Sequence, residues 1–219
     1  MTNQLLSAQW FEHQAKVTEA IGRPGFAASL FAALSVIRPI QATTVYLYPH
    51  DGMPCALFEQ DDKAPWQPEG NVSRYLSGFY LLDPFYVACV NEHPSGLWRM
   101  SELAPDCFFS SGFAISKDIH PCVSSDYGTA VDEVGFIIPL RPRLAIVYSL
   151  MRNHGSGDFG AGEMDLLAAM SPLLASVFGQ HCRLRYADIL RAAPEGVVLE
   201  DAFVEILQGQ LTETPRHIA

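Results

Sequence analysis

The sequence predicts an α+β domain, an α/β/α sandwich whose central antiparallel sheet has about five strands. Two observations carry that expectation. The apolar period changes from helical to strand-like near residue 43 and returns to helical later, and two pairs of β-rich runs are each joined by a tight turn. Because helices come before and after the strand pairs, the sheet is expected to be covered on both faces.

Each element follows from its own residues. Leu6, Trp10, Val17 and Ile21 recur at helical spacing and Gly22 follows, so residues 4–21 read as an amphipathic helix. Pro24 restarts the chain, and Phe26, Leu30, Ala33, Leu34 and Ile37 mark a second helix that Pro39 stops. Thr43 to Tyr48 and Cys55 to Phe58 are β-rich runs around Asp51-Gly52, a hairpin signal. Beyond Pro65 and Pro68, Val72, Leu76, Phe79 and Tyr80 share a helical face as far as Asp83-Pro84, where a new helix should start. There Asp can accept from the first free amides, and Pro is well tolerated at the first helical position. Residues 93–132, rich in Gly, Pro, Ser and Asp, are expected to be irregular with short helical pieces. Gly135 to Leu140 and Leu144 to Met151, joined by Arg141-Pro142-Arg143, read as the central strands. A long helix from near Asp158 carries Leu166, Met170, Leu173, Leu174 and Val177, with a kink expected at Pro172. After Ala193-Pro194-Glu195-Gly196 a short helical piece is expected at Val198 to Leu207. The division is residues 1–190 as one domain and 191–219 as a linker with the opening of another.

With 219 residues, 49% of them hydrophobic, the chain can bury one sizeable core. Five widely spaced cysteines, Cys55, Cys89, Cys107, Cys122 and Cys182, suit reduced thiols better than a disulfide framework. No apolar run is read as reaching the ~18–20 residues of a membrane span, and the N-terminus lacks a basic leader, so a cytoplasmic protein with no membrane partner is expected. A net charge of −10 argues against direct contact with nucleic acid, which needs clustered Lys and Arg.

Enzyme chemistry finds little support. His120-Pro121-Cys122 lacks a second ligand pair at zinc spacing, and none of the seven histidines forms a zincin pattern. Gly155 to Gly162 has neither the lysine of a P-loop nor dinucleotide spacing, and reads as a strand-to-helix turn. Asp132 and Glu133 read as a solvated turn before the strand at Gly135. No catalytic residue, metal or cofactor is expected.

Arg74 to Trp98 is different. It presents Tyr75, Phe79, Tyr80, Phe85 and Tyr86 around one carboxylate, Asp83, with an indole at the far end. Aromatic walls supply burial and a few polar groups fix orientation, the composition of a small-ligand cavity; the same residues also suit a plain core, and Asp83 a plain helix cap. The stretch resembles the autoinducer-binding domains of LuxR-type transcription regulators, in which an aromatic-rich helix ends in Asp-Pro and a Trp follows fifteen residues after the Asp. Asp83-Pro84 and Trp98 reproduce that spacing. Tyr127-Gly128 and Gly135-Phe136-Ile137-Ile138-Pro139-Leu140 continue the likeness, and Leu211 to Ala219 is similar to the opening of the family's helix-turn-helix module.

The resemblance implies a ligand-sensing, dimerising domain. Asp83 would accept from a ligand amide and Trp98 would line the pocket, with Tyr75, Phe79 and Tyr80 around them. It also implies a small-molecule signal, such as an N-acyl homoserine lactone or a related amphiphile, a homodimer, and DNA contact only through a C-terminal module. The sequence departs from the family at Gly70 and Arg74, where the family has the Trp and Tyr that read the lactone ring and acyl carbonyl. Tyr75, one position on, stands in for the second. That departure favours a signal other than the lactone at least as strongly. A GAF- or PAS-like sensory or scaffolding module of unrelated lineage is the alternative reading.

Overall fold

The computed structural model describes residues 8–61, 75–104 and 131–186. The expectations at residues 1–7, at Gly70 and Arg74, at Cys107, Cys122 and Tyr127-Gly128, and across 191–219 lie outside these.

Helix α1 (Ala8–Ala20) buries Trp10 and Val17. Helix α2 (Phe26–Ile37) buries six apolar side chains and stops where Arg38 turns extended, as steric conflict with a following proline demands. Strands β1 (Ala42–Pro49) and β2 (Cys55–Asp61) form the hairpin expected around Asp51-Gly52, with a bulge at Val45/Tyr46. A 3₁₀ turn (Phe79–Leu82) leads into α3 (Pro84–Val90), strand β3 (Gly96–Arg99) and the single turn α4 (Met100–Leu103). Strands β4 (Val131–Arg141) and β5 (Leu144–Asn153) precede the long helix α5 (Ala161–Arg185). The five strands form one antiparallel sheet in the order β2-β1-β5-β4-β3, the α+β architecture that the sequence predicts.

Strand alternation divides the sheet into two faces. Val45, Leu47, Val134, Phe136, Ile146 and Leu150 point to the core shared with α1, α2 and α5. Tyr46, Tyr48, Ile137 and Val147 point the other way, to Tyr75, Phe85, Ala88 and Met100.

Three local expectations are corrected. The helix read as running to Asp83 breaks at Gly78, whose φ of 132° is open to glycine, and the chain re-forms as the 3₁₀ turn. Strand β3 was hidden in a segment expected to be irregular, because four residues are too short to show a period. The third correction is Asp132 and Glu133, which lie inside β4, only 6% exposed each, and not in a solvated turn. Asp132 is held there by the Arg99 guanidinium and by the amide of Phe159, 2.7 Å away.

A second buried polar knot joins the layers. Arg152 on β5 donates to Glu163 through two nitrogens at 3.2 Å and to the Pro39 carbonyl at 3.0 Å, and it lies over the Phe159 ring. Arg38 adds a further contact to Glu163 at 3.0 Å.

Helix α5 runs from Leu166 to Cys182 without a charged residue, so by length and composition it could cross a membrane, a feature the sequence reading overlooked. In this fold Leu167, Met170, Leu174 and Phe178 lay one flank on the sheet. Near its end His181 stacks on Phe26 at 4.2 Å and its Nδ1 accepts the Gly22 amide at 3.0 Å, tying α5 to the α1–α2 turn. The ring therefore carries its proton on Nε2, and burial, with Arg185 nearby, lowers its pKa to about 4. An unfolded histidine binds a proton near pH 6.5, so this contribution is complete above that pH and is lost as the pH falls toward about 4. Thermal melts should show the midpoint falling between pH 7 and pH 4.5, and His181→Gln, which keeps an acceptor without titrating, should flatten that dependence. An equal slope in both proteins would contradict this role.

Candidate functional site

The face opposite the main core owes its shape to one glycine and one phenylalanine. Gly135 on β4 lets the Phe85 ring lie against bare backbone; a Cβ there would stand 2.6 Å from that ring. Seating Phe85 fixes α3 on β4, and so fixes the residue that caps α3, Asp83.

Asp83 is 8% exposed. Its Oδ1 accepts the Phe85 amide at 2.8 Å, the N-cap that the Asp-Pro pair predicts. Its Oδ2 does something else. It accepts from the Tyr75 hydroxyl and from the Tyr48 hydroxyl, the latter at 3.0 Å, while those two hydroxyls lie 2.7 Å from each other. Three oxygens thus form a buried triangle. Asp83 is at once a cap and a buried polar centre, and it makes no ion pair among the described residues.

Burial, and then the charge of Glu133, push the Asp83 carboxyl up, while hydrogen bonds from Tyr75, Phe85 and Tyr48 hold it down. Burial and the neighbouring carboxylate also push both tyrosines well above their usual range, so the hydroxyls keep their protons. Burial raises the Cys55 and Cys89 thiols to about 12, the state of inert, reduced cysteines.

Around the triangle the tyrosines form a continuous layer. Tyr46 lies 4.9 Å from Tyr75, Tyr80 lies 4.9 Å from Tyr86, and Tyr48 meets Tyr86 edge-on at 5.7 Å. Trp98, on β3 opposite Gly135, packs at the margin of this layer. Its indole nitrogen donates to the Pro94 carbonyl at 2.9 Å and its ring meets His93, so the loop before β3 sets its orientation. Of the five residues singled out in the sequence, Asp83 and Tyr75 meet directly, Tyr80 and Trp98 pack on the same layer, and Phe79 is half-buried on the 3₁₀ turn.

The sheet contributes polar groups that the sequence reading missed. Thr44 on β1 and Ser149 on β5 are paired across the strands, each 3% exposed, while on β4 the register sets Gly135 opposite Ser149 and the buried Glu133 opposite Met151. Alternation with Tyr46, Val147 and Ile137 directs Thr44, Ser149 and Glu133 to the tyrosine side. The available signal was the alternation within Thr43 to Tyr48, which puts Thr44, Tyr46 and Tyr48 on one face; the choice of which face was not in the sequence.

Among solved structures, the ligand-binding domain of VqsR from Pseudomonas aeruginosa is similar to this chain with a TM-score of 0.66. The two share a fold. The match covers 81% of this chain and 99% of the VqsR domain, at 24% identity, so the likeness to VqsR is one of architecture. No protein-family model matches the chain, and no curated protein does.

Proposed function

We propose that this chain is the small-molecule-sensing domain of a LuxR-type transcription regulator, with its ligand taken up on the tyrosine face of the sheet. The observation that carries the proposal is the Asp83–Tyr48–Tyr75 triangle: a carboxylate shut inside an aromatic layer, a costly arrangement unless polar partners use it. The sequence resemblance at Asp83-Pro84 and Trp98 and the fold shared with the VqsR ligand-binding domain support it.

In this reading Asp83 orients the ligand, Tyr75, Tyr80 and Trp98 line its site, and Phe79 closes the 3₁₀ turn side. The mechanism is binding and not bond chemistry: a ligand shifts the population toward whichever arrangement it fits better. The readout is DNA binding by a C-terminal helix-turn-helix module. Two copies would associate through the outer flank of α5, where Leu173 is 43% exposed beside small, uncharged residues. The protein would work in the cytoplasm, without a cofactor.

Asp83→Asn tests the site. Asn caps a helix almost as well as Asp, so the melting temperature of the ligand-free protein should stay within a few degrees of the parent. Thermal stabilisation by the small-molecule fraction of a culture extract should disappear. Stabilisation retained in full by the variant would limit Asp83 to capping.

A further inference from the structure

We infer that the small molecule bound on this face is polar at both ends and apolar between, with one end at Asp83 and a hydroxyl at the other end against His93. The inference rests on the sensing proposal and names the chemical class of its ligand.

His93 carries the observation. Its Nδ1 is shut away from solvent and has no hydrogen-bond partner among the described residues. A buried nitrogen in that state is costly, and a polar group brought to it recovers the cost. Other contacts hold the residue in place: the ring meets the Trp98 ring edge-on at 4.4 Å, and the His93 amide donates to the Ala88 carbonyl at 2.9 Å. Trp98 in turn packs on the tyrosine layer, so the unpaired nitrogen stands at the margin of the face proposed to take the ligand.

Helix α3 sets the spacing. Asp83 caps its first turn and His93 closes its last, with seven helical residues between them. At ~1.5 Å of rise per residue the two polar ends are about 10 Å apart. Between them α3 buries Phe85 and Ala88, in the same apolar cluster as Met100 and Ile137. A ligand that satisfies both ends therefore has a hydrocarbon middle as long as α3.

The far group follows from the chemistry of imidazole. In a neutral ring one nitrogen carries the proton and the other is bare, and Nδ1 can be either. A hydroxyl donates to the bare nitrogen and accepts from the protonated one, whereas a carbonyl oxygen serves only the second.

The test is titration calorimetry of the 219-residue chain with octanamide and with ω-hydroxyoctanamide, which differ only in the far hydroxyl. The hydroxyl compound should bind about tenfold more tightly, the worth of one hydrogen bond to an otherwise unpaired buried group. Asp83→Asn should weaken both compounds about tenfold or more. His93→Phe keeps a ring on Trp98 and removes the nitrogen. It should bring the two compounds to the same affinity and leave the melting temperature of the free protein equal to the parent's or higher, because no partner is lost. Equal affinities in the parent chain, or a preference for the hydroxyl that survives His93→Phe, would overturn the inference; weakening of octanamide by Asp83→Asn would still leave the sensing proposal standing. A clearly lower melting temperature in His93→Phe, or its failure to fold, would give the nitrogen a structural partner and overturn the inference as well. Binding of neither compound, or binding of both that is indifferent to Asp83→Asn, would overturn the inference together with the reading of Asp83 as the ligand's anchor.

Discussion

Phe85→Ala is expected to lower stability by about 3–5 kcal/mol, the usual cost of emptying the space of a fully buried aromatic ring. Phe85 is 1% exposed and its ring is what α3 presents to the bare backbone of Gly135, so truncation leaves a void that neither element can close without moving Asp83. For a domain of this size the melting temperature should fall by roughly 10 °C or more. The partner substitution sharpens the test. Gly135→Ala in the parent places a Cβ 2.6 Å from the ring and should cost about 1–3 kcal/mol by overpacking. In the Phe85→Ala background the same change fills part of the void and should cost little or stabilise. Additive effects in the double variant would mean that the two residues do not meet as described.

Glu163→Ala carries the second large effect, about 3 kcal/mol, seen as a fall of roughly 6–12 °C in the melting temperature. Removing one partner of a buried ion pair costs more than the pair itself contributes, because the other charge remains without compensation. Arg152 is that charge: it is 5% exposed and, among the described residues, would keep the carbonyls of Pro39 and Asp158 and the Phe159 ring but no carboxylate. Glu163 also accepts the Gly160 amide at the start of α5, so its loss frays the helix as well. The Glu163 carboxyl is held below its usual range by Arg152, the Gly160 amide and Arg38, against the opposing effect of burial. The stability it gives is therefore present at neutral pH and is lost in acid, as the pH falls below the ordinary carboxylate range. Chemical denaturation of Glu163→Gln at pH 7 and pH 4 separates the two: a loss at pH 7 that shrinks at pH 4 is expected. A loss unchanged with pH would assign the effect to packing.

How far the sequence could be read depended on the length of each signal. Helix α2, the Asp51-Gly52 hairpin and the apolar centres of β4 and β5 were legible because several residues repeat one pattern. Asp83 was legible as a cap from its Pro84 neighbour. Strand β3 has four residues and no pattern of its own; only pairing with β4 makes it a strand. Asp132 and Glu133 look like turn residues because their charges hide the strand, and what allows Asp132 inside is long-range, the Arg99 guanidinium and the Phe159 amide. Tyr48 and Tyr75 are 27 residues apart, so their shared carboxylate appears only once β1 and the segment before Asp83 are brought together. Phe79 shows the opposite case, a residue placed by helical spacing on a helix that Gly78 interrupts.

The central claim is that the triangle of Asp83, Tyr48 and Tyr75 serves a small molecule, and native mass spectrometry tests it most directly. The chain is incubated with the small-molecule fraction of a culture extract, desalted, and weighed intact beside Asp83→Asn and Tyr75→Phe. The predicted result is a mass increase corresponding to one small molecule per chain, absent or reduced at least tenfold in both variants. No mass increase in any of the three proteins, or the same increase in all three, would contradict it.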